Sequence, residues 1–311
     1  MFKGKIVVLM GGPSTEREVS LRTGGAIYQA LSARGCQVTT LELDRNVAAK
    51  LQAESPDVVF IAVHGKYGED GVVQGVLDLL DIPYTGSGVL ASALAMDKAM
   101  SKKIFLASGV PTPAATFFGA AERAAGSMAL SKDVLADFAL PVVVKAATQG
   151  SSIGVTIVDR SDTLAAAIDE AFGYSETVVV EQFIAGREVT VTVLGNERPE
   201  ALPIIEIAPK TGRYDYQSKY TKGATEYIVP ARLAPEVYAA LQESAVKAHR
   251  ALGCKGVSRV DFIVGPDGEF YALEVNTIPG MTETSLVPKA AAAAGMEFGD
   301  FLLRLIDLAV K

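Results

Sequence analysis

The stretch SRVDFIVGPDGEFYALEVN, residues 258–276, consists of two runs of alternating apolar and polar residues around Asp267-Gly268. That pattern predicts a β-hairpin with a two-residue type I′ loop. In that register Asp261 faces Glu274 and Arg259 faces Asn276. Side chains alternate faces along a strand, so all four project from one side of the hairpin. Two opposed carboxylates repel by up to about 1 kcal/mol unless a cation compensates them. Asp, Glu and Asn offer only hard oxygen donors, which suit magnesium or manganese, and magnesium commonly bridges to phosphate oxygens. A nucleotide is therefore implied. The plainer alternative is a face open to water on which Arg259 is the counter-ion.

Phosphate needs hydrogen-bond donors, yet neither a G-x-x-x-x-G-K-[ST] loop nor a strand-flanked G-x-G-x-x-G occurs. The segment QGSSIG, 149–154, lies between the apolar runs PVVVKA and VTIV. It reads as a small-residue hairpin loop whose backbone N–H groups and hydroxyls can cradle phosphates, or as an ordinary solvated turn. Lys145, at the end of an apolar strand, demands an anionic partner if buried. Upstream, KIVVLM, QVTTLEL and DVVFIAV alternate with helical segments at 15–33 and 72–80, the βαβ pattern of a parallel sheet. Thr15 with Glu18 forms the signature of a capping box, and Glu18 with Arg22 an i,i+4 pair. PYTGSG, 83–88, reads as a crossing between units. A helical stretch containing Asp97 and Lys98 follows. Short strands around helices from 114 to 183 predict a small α+β domain. Residues 209–225 lack apolar periodicity, and a loop of that length is expected to have a task such as closing an active site. A helix over 235–252, the hairpin and Ala-rich helices complete the chain.

The 311 residues suit two or three domains, and 49% hydrophobic with 21% charged side chains is a globular composition that excludes disorder. With 29 basic against 36 acidic residues and no long run of like charge, no nucleic-acid partner is expected. Cys36 and Cys254 are too few for a disulfide framework or thiolate metal site, which points to a reducing, cytoplasmic location. The apolar run Ile6–Met10 is too short for a signal peptide. No uninterrupted apolar stretch reaches the roughly 18 residues a membrane span needs. Ala-rich helices account for the mean hydropathy of +0.27 without a membrane.

GGPSTEREVS (11–20), HGKYGEDG (64–71), PYTGSG (83–88), MDK (96–98), QGSSIG (149–154), SKY (218–220), GVSRVDF (256–262) and EVNTIPGMT (274–282) occur in that order. Together they resemble the D-alanine:D-alanine ligase family of ATP-grasp enzymes from the first strand to near the C-terminus. One departure is visible: the family usually has Lys-Pro where this chain has Lys145-Ala146, which should alter local stiffness.

The resemblance implies a three-domain ATP-grasp α/β fold. It has an N-terminal parallel α/β domain (1–97), a small central α+β domain (98–181) and a C-terminal mixed-sheet domain (182–311) with a lid at 209–225. It also implies that Asp261, Glu274 and Asn276 hold two magnesium (or manganese) ions on ATP. Lys98 and Lys145 would contact the phosphates, with Gly150, Ser151 and Ser152 closing over them. Adenine would meet Glu181 and the backbone near Gln182 and Ile184, and the ribose Glu188. Glu16, at a helix N-terminus, would bind the ammonium of the first D-alanine. His64 would lie near that substrate's carboxylate; from the residue alone, a hydrogen-bonded core histidine is the simpler reading. Ser285 would bind the second D-alanine's carboxylate. Arg259 and the Gly280 N–H would form the oxyanion hole, and Ser151 and Tyr220 would link to Glu16.

In the implied reaction the first carboxylate attacks the γ-phosphoryl group, with Lys219 and Lys145 neutralising charge. The second amine then displaces phosphate from the acyl phosphate. The expected product is D-alanyl-D-alanine for peptidoglycan, and the expected assembly is a homodimer. The alternatives are a sibling ligase using D-lactate or D-serine, and a non-catalytic nucleotide-binding relative.

Overall fold

The computed structural model describes residues 2–209, 225–282 and 284–310. The chain opens with β1 (Lys5–Met10), α1 (Arg17–Ala33), β2 (Gln37–Glu42), α2 (Val47–Glu54), β3 (Val58–Ile61) and α3 (Val72–Leu79). β1 runs between β2 and β3, parallel to both, as the βαβ pattern requires. Its run Ile6-Val7-Val8-Leu9 is wholly buried because both faces of the sheet are covered. α2 and α3 cover the Val7 and Leu9 face through Leu51, Val73 and Leu77.

α1 begins two residues later than expected, and no capping box forms from Thr15 and Glu18. Ser14 takes over the turn: its hydroxyl donates to the His64 carbonyl at 2.7 Å and accepts from the Glu16 N–H at 3.2 Å. Glu18 pairs with Arg17 at 3.4 Å rather than with Arg22. A tertiary tie to the end of the β3 segment thus outweighs the local cap and leaves Glu16 as the N-terminal cap residue of α1.

Two helices follow, α4 (Val89–Met96) and α5 (Lys98–Ser108), where one helical stretch is expected. Asp97 separates them. Its extended backbone ends the first, and its carboxylate accepts from the N–H groups of Ala99 and Met100 at 2.9 and 3.1 Å to start the second. Next come β4 (Ala115–Phe118), α6 (Ala120–Arg123), α7 (Ser127–Asp137), β5 (Val142–Ala146), β6 (Val155–Val158), α8 (Ser161–Phe172) and β7 (Val178–Gln182). The strands form an antiparallel sheet in the order β4-β7-β5-β6. Leu164 and Ile168 of α8 and Val134 of α7 pack on Val142, Val144 and Val180.

The remaining elements are β8 (Arg187–Leu194), β9 (Glu200–Ala201), β10 (Ile205–Pro209), β11 (Thr225–Ile228), α9 (Pro235–Ala251), β12 (Val257–Val264), β13 (Phe270–Asn276), α10 (Leu286–Ala293) and α11 (Phe298–Ala309). Their sheet has the order β11-β10-β8-β12-β13 with β9 beside β8. Every pairing in it is antiparallel, where a mixed sheet is expected. Val189, Val191, Val260 and Phe262 bury one face against Leu241 and Ala245 of α9 and Phe105 of α5. The alternate residues Thr190, Thr192, Arg259 and Asp261 therefore face the other way. Phe301, Leu302, Leu305 and Ile306 of α11 pack on Ile6 and Val8 of β1 and Ile27 and Leu31 of α1, so the first sheet and the last helices share one core.

The β12–β13 turn is not the expected type I′ loop. Gly268 alone takes positive φ (+87°), its N–H donates to the Gly265 carbonyl at 3.1 Å, and the Gly265 N–H donates to Glu269 at 2.7 Å. This is a three-residue turn closed by a left-handed glycine. It pairs Val264 with Phe270 and Phe262 with Ala272, which displaces the register. A bulge between Asp261 and Phe262 then restores it, so Asp261 does face Glu274 and Arg259 does face Asn276. The expected pairing is reached through two irregularities that cancel.

Candidate active site

Glu16 is held at the N-terminus of α1, where the helix dipole favours a carboxylate. Ser151 donates a hydrogen bond to its Oε1. A Cβ on Gly65 or on Gly150 would come within 2.8 or 3.0 Å of Glu16 Oε2, so the two glycines let backbone close on the carboxylate from both sides. The 149–154 loop is a hairpin between β5 and β6, as its composition suggests. Ser151 and Ser152 adopt φ of 51° and 61°, a left-handed conformation that L residues hold only where surrounding contacts enforce it. Ala146, in the place where the family usually has proline, donates its N–H to the Gly154 carbonyl at 2.8 Å. A proline could not make that bond, so the stiffness of the loop base comes from a hydrogen bond instead of a ring.

Opposite lies the hairpin. Arg259 grips Asp261 with two hydrogen bonds, Nε to Oδ1 at 2.8 Å and Nη2 to Oδ2 at 2.7 Å, while Thr190 Oγ1 donates to Oδ1 at 2.6 Å. Lys98 Nζ lies 3.2 Å from Glu274 Oε2 and donates to the Gln149 carbonyl at 2.6 Å. Among the described residues the opposed carboxylates thus have side-chain cations as compensation, Arg259 for Asp261 and Lys98 for Glu274. Asn276 accepts from the Ile278 N–H at 3.0 Å. Among the described residues no three His, Cys, Asp or Glu side chains gather as a metal site. The hard oxygens of Asp261, Glu274 and Asn276 are a donor set of the kind that would suit magnesium, with phosphate or water completing its shell.

Most of these groups face one cavity of about 470 Å³, but Asp261 and Thr190 are buried and do not line it. Glu16, His64, Gly150 and Ser151 line one part of it, and Lys98, Arg259, Glu274 and Asn276 another. Gly280 and Ser285 also line it. Ser285 Oγ accepts from the Thr282 N–H at 3.0 Å and would lie 3.0 Å from a Cβ on Gly280, so this segment also packs tightly. His64 is buried, its Nε2 3.0 Å from Thr23 Oγ1 and its Nδ1 3.9 Å from Glu69, so it is both a satisfied core histidine and part of the cavity wall.

Other expected residues sit outside that cavity. Glu181 on β7 is buried between Lys102 and Lys145. Gln182 donates its backbone N–H to the Ala114 carbonyl at 2.9 Å, and Ile184 lies just beyond β7. Glu188 is on β8 and Ser152 beside Ser151 in the loop. Lys219, Tyr220 and the interior of the expected lid lie outside the described residues. Sequence patterns assign no site role to Arg22, Thr23, Glu69 and Tyr227, which also line the cavity. Thr23 is two helical turns beyond Glu16 and Glu69 is inside HGKYGEDG, signals that a helical-face count could have found.

The sequence matches the family profile described as D-ala D-ala ligase C-terminus over residues 104–307, and the one described as D-ala D-ala ligase N-terminus over residues 40–87. The D-alanine--D-alanine ligase of Moorella thermoacetica is 51% identical over 307 residues, covering 99% of each chain. Among solved structures, the D-alanine--D-alanine ligase of Bacillus anthracis complexed with ATP matches with a TM-score of 0.84 at 34% identity, covering 99% of this chain and 97% of that one. The VanG D-Ala:D-Ser ligase of Enterococcus faecalis matches with a TM-score of 0.85 at 33% identity, covering 99% and 100%. A relative half identical along its whole length, with a cleft built on the residues the motifs single out, leaves one conclusion: this chain belongs to the D-alanine–D-alanine ligase family.

Proposed function

We propose that the protein joins two D-alanines to D-alanyl-D-alanine at the expense of ATP, through a D-alanyl phosphate, and so supplies a peptidoglycan precursor. The observation that carries this reading is the cavity in which Glu16, locked by Ser151, shares space with the Lys98–Glu274 pair and with Arg259, which grips Asp261 behind the cavity wall. Glu16 holds the ammonium of the donor D-alanine and so aims its carboxylate at the γ-phosphorus. Lys98, Lys145 and the N–H groups of 150–152 hold the polyphosphate as the carboxylate oxygen bonds to the γ-phosphorus and the bridging P–O bond breaks with its electrons onto ADP, which remains bound. Glu181 accepts from the adenine amino group, the backbone at Gln182 and Ile184 completes the base edge, and Glu188 binds the ribose. Asp261, Glu274 and Asn276 would hold two magnesium or manganese ions, which when bound neutralise phosphate oxygens.

The acceptor, its carboxylate on Ser285, then attacks the acyl carbon with its free amine, and phosphate departs with the C–O bond electrons. Arg259 and the Gly280 N–H stabilise the tetrahedral oxyanion. Acyl phosphates hydrolyse readily, so water must be excluded, a task for the lid at 209–225 with Lys219 and Tyr220.

The division into 1–97, 98–181 and 182–311 is supported by the middle core, whose members all fall between Phe118 and Val180. A homodimer is supported by Val72 and Leu79 of α3 and Val89 and Leu90 of α4, apolar side chains exposed on two helices that pack side by side. Two unpaired cysteines and the need for ATP support a cytoplasmic location. No helix among the described residues is long and apolar enough to cross a membrane.

The test is a product assay with ATP, magnesium and equal D-alanine, D-lactate and D-serine at pH 7. D-alanyl-D-alanine should dominate. A main product carrying D-lactate or D-serine would overturn the acceptor assignment, and ADP release independent of D-alanine would overturn the ligase reading.

A further inference from the structure

Lys102 belongs to none of the motifs and does not line the cavity, yet it heads the fully buried side chains in size and is only 1% exposed. An ammonium is costly to bury unless it is paired and hydrogen-bonded. Its Nζ lies 2.7 Å from Glu181 Oε2 and donates to Thr112 Oγ1, also at 2.7 Å. Thr112 in turn donates to the Ala272 carbonyl at 2.8 Å. Lys145 on β5 pairs with the other oxygen of Glu181. Burial by itself pushes the Glu181 carboxyl up, but the two ammonium groups outweigh it and hold the group below the usual carboxylate range.

Two features set this cluster apart from a simple core ion pair. It places two cations beside one carboxylate, and Oε2 of Glu181, within ion-pair distance of Lys102, is buried without a hydrogen-bond partner among the described residues, so it keeps acceptor capacity. It also joins two sheets: the chain Glu181–Lys102–Thr112–Ala272 runs from β7 of the central sheet, through α5, to β13, the strand that carries Glu274 and Asn276. We propose that Lys102 is a positioning residue for the nucleotide site: it keeps Glu181 an ionised acceptor in a fixed place relative to β13, and through Glu181 it selects a 6-amino over a 6-oxo purine. This rests on the reading that Glu181 meets the adenine amino group. An ionised carboxylate accepts from that amino group and repels a 6-oxo oxygen, and a site built to bond a substrate N–H rejects the analogue that lacks it.

The experiment measures ADP or IDP release with ATP and with inosine triphosphate at saturating D-alanine. The proteins are the parent, Lys102→Met, Thr112→Val, Glu181→Gln and the Lys102→Met/Glu181→Gln double variant. Lys102→Met should raise KM for ATP roughly tenfold, the effect of about 1.4 kcal/mol, with kcat little changed. It should also lower the preference for ATP over inosine triphosphate by a similar factor. Thr112→Val, which keeps all three charged groups, should move both quantities the same way by less, and it carries the test if Lys102→Met does not fold. In the Glu181→Gln background the Lys102 substitution should have no further effect on either quantity. A loss confined to kcat with the purine preference intact, or additive effects of the two substitutions, would overturn the role of Lys102. If Glu181→Gln itself leaves the purine preference unchanged, the reading of Glu181 fails instead.

Discussion

His249, on α9, is fully buried and its Nδ1 lies 2.8 Å from the Oγ of Ser258, the residue that precedes Arg259 on β12. Burial pulls its pKa from 6.5 down to about 4, Arg250 pushes the same way, and the backbone at Gly195 and Cys254 opposes. The group is neutral when folded and takes up a proton more readily when unfolded. Its contribution to stability is therefore intact above pH 6.5 and is lost as the pH falls toward 4. The full linkage is about 3 kcal/mol, of which roughly 1.5 kcal/mol is lost by pH 5.5. His249→Gln removes the titration while retaining an amide that can reach Ser258. Urea unfolding followed by far-ultraviolet circular dichroism, at intervals from pH 7.5 to 4.5, gives both stabilities. Carboxylates titrate alike in the two proteins, so the difference isolates the histidine. The parent should lose stability relative to the variant by about 1 to 2 kcal/mol between pH 7 and 5.5. A difference that stays flat across that range would refute the reasoning, because it would mean that the folded state accommodates the imidazolium.

Glu274→Gln should cut ADP formation at saturating magnesium by at least about a hundredfold, since it removes charge that the phosphoryl-transfer site needs. Among the described residues the same change breaks the 3.2 Å pair with Lys98, at a carboxylate one-third exposed (34%), so stability should shift by less than about 1 kcal/mol; undiminished ADP formation would remove Glu274 from the site. Leu79→Asp places a charge on a side chain that is 83% exposed on α3, and sedimentation should show a dimeric parent and a monomeric variant. A monomeric parent would dispose of the proposed assembly.

Much of this protein was determined locally and is legible in the sequence. The apolar runs of β1, β5, β7 and β12 predict strands because burial on one or two faces leaves a periodic signature. Gly-rich turns mark where backbone must close on a carboxylate. The partnership of Asp261 with Glu274 was also readable, although the expected turn was wrong: the hydrophobic alternation of both strands selects the register, and the bulge absorbs the extra residue.

What only the tertiary structure decided are the choices between near-equal local options and the pairings of distant charges. The start of α1 followed Ser14 to the His64 carbonyl, a contact fifty residues away, instead of the capping box beside it, because each option is worth only about 1 kcal/mol. Arg259 could have met Asn276, solvent or Asp261; it grips Asp261 with two hydrogen bonds, and β8 brings Thr190 to the same carboxylate. Nothing near Lys102 in the chain announces that it is buried. That follows from α5 lying under β7 and β13, where Glu181 and Thr112 make an otherwise costly ammonium tolerable. Periodicity reports which face of an element is covered, but a charge's partner depends on which elements the whole fold brings within a few ångströms.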